Sequence, residues 1–135
     1  MISVVFDANV VVSAAGWRGR DLECLSAIAR RQARLFVTDE ILKQYYETVA
    51  QLRVQMPHDP APVLRWIKSV APQVDPAPLG KQRSRDPDDD PYLACALAAQ
   101  AECVVTHDRD LLILGKPFGI IVLTPRQFLA RLRQR

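Results

Sequence analysis

Four aspartates fall within five residues: Asp86, Asp88, Asp89 and Asp90, with Pro87 after the first. A helix-like stretch, Pro91 to Ala101, follows them. An apolar run, Cys103 to Val105, comes next and ends in Thr106, His107 and Asp108. At the start of the chain Val4, Val5 and Phe6 run into Asp7 in the same way. Two apolar runs that end in a carboxylate, with an acidic helix start between them, restrict the fold. In open α/β sheets, sites form outside the carboxyl ends of the strands. The pattern therefore predicts a metal site at one edge of a sheet.

The rest of the chain fits that frame. Ile2 to Phe6 reads as a buried parallel strand, and Val10 to Ala15 as the start of a first helix. Gly16 to Arg20 reads as a loop, with Trp17, Arg18 and Arg20 available to contact RNA by charge and stacking; the alternative is that Trp17 covers the core or a partner. Asp21 is the expected N-cap of a helix over Leu22 to Ala33, followed by a strand at Leu35 to Val37. Thr38 or Asp39 caps a helix over Glu40 to Leu52, on which Glu40, Gln44, Glu47 and Gln51 share the face opposite the apolar stripe. Ala61 to Ala71 forms the next helix, with Trp66 in the core. Pro72 to Pro78 is extended, and Lys81 to Arg85 is a basic loop without a pattern. Either Asp88 or Asp90 caps the helix that Pro91 opens. Asp108 to Leu114 is a short helical turn, Ile120 to Leu123 a last strand, and Pro125 to Arg133 a last helix. Strand and helix alternate, which predicts a parallel sheet covered by helices on both faces.

At 135 residues the chain is long enough for one domain with a real core, and 49% hydrophobic with 24% charged residues is ordinary for a globular protein. No apolar run approaches the roughly 20 residues that span a bilayer. No basic segment precedes the first apolar run, as a signal peptide would require. Cys24, Cys95 and Cys103 are odd in number and lack metal spacing, which predicts a reduced, cytoplasmic setting.

The net charge is only +3, from 18 basic and 15 acidic residues. Asp7, Asp86, Asp88, Asp89, Asp90, Asp108 and Asp110 are seven of the acids, so eight acids face eighteen bases elsewhere, a balance of +10. If the seven gather, a basic surface surrounds an acidic pocket, which suits a polyanion and a cation together. Scattered arginines on a soluble protein are the plainer alternative. Arg18, Arg20, Arg30, Arg31 and Arg34 are the candidate phosphate contacts. Arg126, Arg131, Arg133 and Arg135 read as a solvated helix end.

Carboxylates held close together either take up protons or are neutralised by a cation. An all-oxygen ligand set favours Mg²⁺ or Mn²⁺, which can assist phosphoryl chemistry. There is no Gly-x-Ser-x-Gly, no cysteine pair and no glycine-rich phosphate loop. His107, beside Asp108, can contact substrate or be a bystander, and His58 lies in a proline-rich turn.

Three segments carry a resemblance: Phe6-Asp7-Ala8-Asn9-Val10; Asp86-Pro87-Asp88-Asp89 before an alanine-rich helix; and Val105-Thr106-His107-Asp108-Arg109-Asp110-Leu111-Leu112. In order and spacing they resemble the PIN-domain family, over the full length of 1–135 as a single domain. The chain looks most like the VapC-type toxin components of bacterial toxin–antitoxin pairs. The resemblance implies a Rossmann-like α/β/α sandwich with a central parallel sheet and a Mg²⁺- or Mn²⁺-dependent endoribonuclease. It also implies RNA as substrate, a homodimer and a small antitoxin as partner. Position by position, Asp7 matches the family's first acid, Asp89 the acid at the helix start and Asp108 the acid after the later strand. Asp86 matches an additional acid of the subgroup, and Asn9 and Thr106 match supporting polar residues. Gln44 stands where the family usually has a glutamate, and Glu47, one turn later, is the candidate to replace it.

Two other readings compete. A haloacid-dehalogenase-type phosphatase also begins with an aspartate after its first strand, but it needs a second acid where Asn9 stands. A catalytically weakened or inactive PIN-like binding module is favoured by Gln44 alone.

Overall fold

A computed structural model describes residues 1–134; Arg135, grouped above with the C-terminal arginines, lies outside the described residues. Four strands, β1 (Ile2–Phe6), β2 (Ala33–Leu35), β3 (Cys103–Val105) and β4 (Ile121–Leu123), form one parallel sheet in the order β2-β1-β3-β4. Among the described residues seven helices flank it: α1 (Ala8–Gly16), α2 (Gly19–Ala29), α3 (Asp39–Leu52), α4 (Ala61–Val70), α5 (Asp90–Ala99), α6 (Arg109–Leu112) and α7 (Pro125–Arg133). This is the expected α/β architecture.

The strands are apolar because helices cover the sheet. Val4, Val5, Phe6 and all of β3 are buried, and Phe6 meets Phe128 of α7 edge to face at 5.6 Å between ring centroids. α5 packs on β1 and β3 and buries Tyr92 to Ala96, where its alanines permit close approach. Local signals set several ends. Thr38 caps α3 by accepting from the Ile41 N–H. Thr124 and Gln127 cap α7 reciprocally around Pro125.

The order of the strands fixes where a site can form. The chain leaves β1 for β2 on one side, then returns to β3 on the other side of β1. Connections that diverge this way open a crevice at the carboxyl ends of β1 and β3. Asp7 and Thr106 are the first residues past those two ends.

Several boundaries differ from expectation. α2 begins at Gly19 and ends at Ala29, so Asp21 is not its cap but a buried first-turn residue. Arg18, at φ 67°, occupies the cap position instead. β2 is Ala33–Leu35, not Leu35 to Val37; Val37 instead bridges Gln73 in parallel, so the proline-punctuated segment borders the sheet. The acidic stretch is capped by neither Asp88 nor Asp90. Asp86 accepts from the Asp88 N–H at 3.0 Å and opens a 3-10 turn, Pro87–Asp89, that leads into α5. Arg126 and Arg133 are exposed as expected, whereas Arg131 is half-buried and pairs with Glu102 at 2.7 Å. Trp66 is partly buried and packs against the core from its margin.

Candidate active site

At the crevice between β1 and β3 an open cavity of about 440 Å³ is lined by Asp7, Asn9, Asp86, Asp88, Asp89 and Asp108, with Tyr92 and one face of α3. Five of the seven aspartates grouped from the sequence line this cavity. The other two have different partners. Asp90 accepts from the backbone N–H of Arg83 (3.0 Å) and of Ser84 (2.8 Å), and Asp110 pairs with Arg85 at 3.3 Å.

Asp86, Asp89 and Asp108 each present a carboxylate oxygen, and the three oxygens lie within 4.8 Å of one another. They come from three places: a loop, the turn before α5, and the cap of α6, three residues past β3. Asp89 is only 6% exposed. Burial, then a hydrogen bond shared with Asp108 and the charges of Asp108 and Asp86, push its pKa up to about 7, against a lowering hydrogen bond from Ser84. A buried carboxyl facing two others in this way holds a proton or a cation. The all-oxygen donor set fits a hard divalent ion.

Asp7 faces the same cavity from β1. It lies 3% exposed and is held from two sides. Its Oδ1 accepts from the Asn9 N–H at 2.6 Å, and its Oδ2 accepts from the Thr106 hydroxyl. Burial raises its pKa, these hydrogen bonds oppose the rise, and the charge of Asp108 adds to it. Thr106 Oγ1 in turn accepts from the Asp108 N–H at 2.9 Å, so one buried hydroxyl ties the end of β1 to the acid after β3. Asn9 is exposed at the cavity wall and contributes its backbone to Asp7.

The polar face of α3 forms the opposite wall, with Glu40, Gln44, Glu47 and Gln51 all lining it. Gln44 is held in place: its Oε1 accepts from the Tyr92 hydroxyl, and its Nε2 donates to the Asp88 carbonyl at 3.4 Å. Glu47 is exposed and sits 3.9 Å from Lys43.

Two site residues escape sequence reasoning. Ser84 lies in what reads as a patternless basic loop, yet it is buried and donates from its hydroxyl to Asp89 Oδ2 at 3.0 Å. Tyr92 reads as one more helix residue. Its hydroxyl accepts from the Ala8 N–H at 3.1 Å and donates to Gln44, joining α1, α3 and α5. A tyrosine two residues after an acid is a signal of sorts; Ser84 offers none.

The arginines divide differently from expectation. Arg30, Arg31 and Arg34 flank or enter β2 at its amino end, paired in register with Ile2 and Ser3, and so lie at the opposite edge of the sheet from Asp7. Arg18 and Arg20 are exposed at the start of α2, outside the acidic cavity's lining. Arg83 and Arg85 are carried by the loop that holds Asp89 and Asp90, but outside the cavity's lining: the Arg83 backbone N–H goes to Asp90, and the Arg85 side chain pairs with Asp110. His107 turns toward α2, where its Nε2 lies 2.8 Å from the buried Asp21.

The PIN-domain model matches residues 3–110, which include the acids of all three segments. The chain belongs to the PIN-domain family. That places it in a nuclease-type family and removes the phosphatase alternative. The crystal structure of PAE2754 from Pyrobaculum aerophilum is similar in fold, with a TM-score of 0.68 and 19% identity over 99% of this chain and 91% of that one. Among proteins of curated function none matches the sequence. Among the described residues no helix is long and apolar enough to cross a membrane.

Proposed function

We propose that this PIN protein is a Mg²⁺- or Mn²⁺-dependent endoribonuclease, acting as one domain over 1–135, with Asp7, Asp86, Asp89 and Asp108 as its acidic centre. The carrying observation is the convergence of Asp86, Asp89 and Asp108 within 4.8 Å at the switch point of the sheet. Asp89 and Asp108, with Asp7 from the β1 side and Asp86 beside them, hold the cation. A divalent ion bound there supplies charge neutralisation of the phosphodiester and lowers the pKa of a water. The chain's own residues do the positioning. Thr106 orients Asp7 and the backbone of Asp108, and Ser84 orients Asp89. Glu47 stands in for the carboxylate absent at Gln44, reaching the site along the same face of α3, on which residues three apart are neighbours. Gln44 supports the wall through Tyr92, and Asn9 supports Asp7 through its backbone. Arg18 and Arg20 contact the RNA backbone beyond the cavity.

The resemblance in order and spacing to VapC-type proteins favours the toxin role, with a homodimer, a small antitoxin as partner and a cytoplasmic setting. Incubation of the protein with single-stranded and structured RNA, in Mn²⁺ and in chelator, tests the activity. Cleavage in Mn²⁺ that disappears with chelator and with Asp89→Asn supports it. Equal cleavage by Asp89→Asn and wild type refutes it. A second reading, a PIN-like module that binds without cutting, is favoured by one observation: the residue at position 44 is an amide engaged by Tyr92. Mn²⁺ titration separates the two, because the module binds no cation and cuts no RNA.

A further inference from the structure

We propose that Phe118, backed by Arg83, is a stacking platform for one unpaired nucleobase of the RNA beside the acidic centre. The inference rests on the ribonuclease reading and adds a substrate-binding residue to it. Phe118 is 45% exposed, so the ring is not committed to the core. It sits at φ 54°, ψ 22° in the tight turn Pro117–Gly119. A bulky side chain in the left-handed region costs on the order of 1 kcal/mol, and a glycine, as at the next position, would avoid that cost. The turn keeps an exposed aromatic ring there instead.

The ring is also preorganised. The Arg83 guanidinium lies over it, 4.8 Å from Cζ to the centroid. That guanidinium is itself fixed by two hydrogen bonds to the Leu79 carbonyl, at 2.8 Å from Nη2 and 3.2 Å from Nε. With a cation over one face, the exposed area of the side chain remains for a base. Stacking on an aromatic ring accepts any base, and an adjacent arginine adds charge for the phosphates.

The platform is joined to the acidic centre through Ser84, the residue after Arg83; the arginines on either side of it engage Asp90 and Asp110, which lie outside the cavity's lining. The backbone N–H of Arg83 is held by Asp90, Ser84 holds Asp89, and Arg85 pairs with Asp110. A base seated on Phe118 is thus linked to Asp89 by the short segment that carries Arg83 and Ser84. Leu79 to Arg85 and Arg109 to Gly119 carry Lys81, Arg83, Arg85, Arg109 and Lys116 against Asp110, which Arg85 engages, and the acidic centre adjoins them at Asp86 and Asp108; the bases suit the phosphates of a chain whose scissile group lies at the acids. Trp17, the indole that the sequence offers for stacking, stands at the end of α1 instead. The other cation–π pair among the described residues, Arg34 over Phe36, lies on the β2 side of the sheet.

The test is RNA binding by fluorescence anisotropy, in chelator so that nothing is cut, with single-stranded oligonucleotides intact or carrying one abasic nucleotide at successive positions. Phe118→Ala should weaken binding about 5- to 100-fold, in line with the loss of one stacked base. Phe118→Trp should bind as tightly as wild type or more tightly. At one position the abasic substitution should cost wild type the same factor and cost Phe118→Ala nothing. If wild type binds RNA and cuts it in Mn²⁺ while Phe118→Ala binds within twofold of it, or while the two losses simply add, the platform is wrong and the ribonuclease reading stands. If wild type neither binds nor cuts RNA, both fall.

Discussion

Replacing Asp89 with asparagine removes a buried negative charge while keeping its shape. Asparagine keeps an acceptor for the Ser84 hydroxyl, and its amide can donate to Asp108 as the protonated acid does. The Asp89 carboxyl titrates near 7 when folded and near its ordinary value of 3.8 when unfolded. Between those values the folded state binds a proton that the unfolded state has lost, so stability falls as pH rises through that window and is level above it. At about 1.4 kcal/mol per pKa unit, the rise to about 7 amounts to at most roughly 4 kcal/mol. In chelator, Asp89→Asn should therefore equal wild type in stability near pH 4. It should exceed wild type by about 1–2 kcal/mol near pH 5 and by about 2–4 kcal/mol at pH 8. Urea unfolding at these pH values reads the difference as a shift in midpoint at constant slope. Excess Mn²⁺ should reverse the order at pH 8, because only the native wild-type site gains binding energy. A pH-independent difference, or a variant less stable than wild type at pH 8 in chelator, would refute the account of Asp89 as a charge held against burial and its neighbours.

Four shorter predictions follow from the same geometry. Mn²⁺ affinity measured by calorimetry should rise with pH up to about 7 and then level off, since protons and cation compete for Asp89; an affinity flat from about pH 5 to 8 would contradict this. Ser84→Ala removes the one interaction that lowers the Asp89 pKa, so it should move that profile to higher pH and weaken Mn²⁺ binding at pH 7 several-fold, and an unmoved profile would make Ser84 irrelevant to the acid. Tyr92→Phe strips the Ala8 N–H and Gln44 of a partner and should cost about 1–3 kcal/mol in urea unfolding, with a loss under about 0.5 kcal/mol counting against the role of the hydroxyl as a tie. If Glu47 replaces the missing carboxylate, Glu47→Gln should lower Mn²⁺ affinity and RNA cleavage far more than Glu40→Gln, with Gln44→Glu changing little; the reverse pattern makes Glu47 a surface acid.

The sequence by itself determined the parts that depend on local pattern. β3 and α7 fall at their predicted residues because an apolar run of Cys103 to Val105 and the Thr124-Pro125-Arg126-Gln127 cap are local signals. Recurrence of a strand followed by a carboxylate was enough to bring Asp7 and Asp108 to one sheet edge, since parallel strands share their carboxyl ends; Asp89 reaches the same cavity from the turn before α5, and the tight carboxylate cluster takes Asp86 as its third member. Other features depend on which segments meet. Asp21 has the chemistry of a cap, but α2 packs so that it is buried against His107. Asp90 looks like a member of the acidic centre, and it is spent on the backbone of Arg83 and Ser84. Arg30, Arg31 and Arg34 look like phosphate contacts until β2 puts them toward its amino end, while the loop that holds Asp89 and Asp90 brings Arg85 to Asp110. Residue type and spacing report what a side chain can do within a turn or two of its own backbone. The ties that close the site's wall, as in Ala8 with Tyr92 and Asp7 with Thr106, join residues 84 and 99 positions apart, and those meet only when the sheet is built.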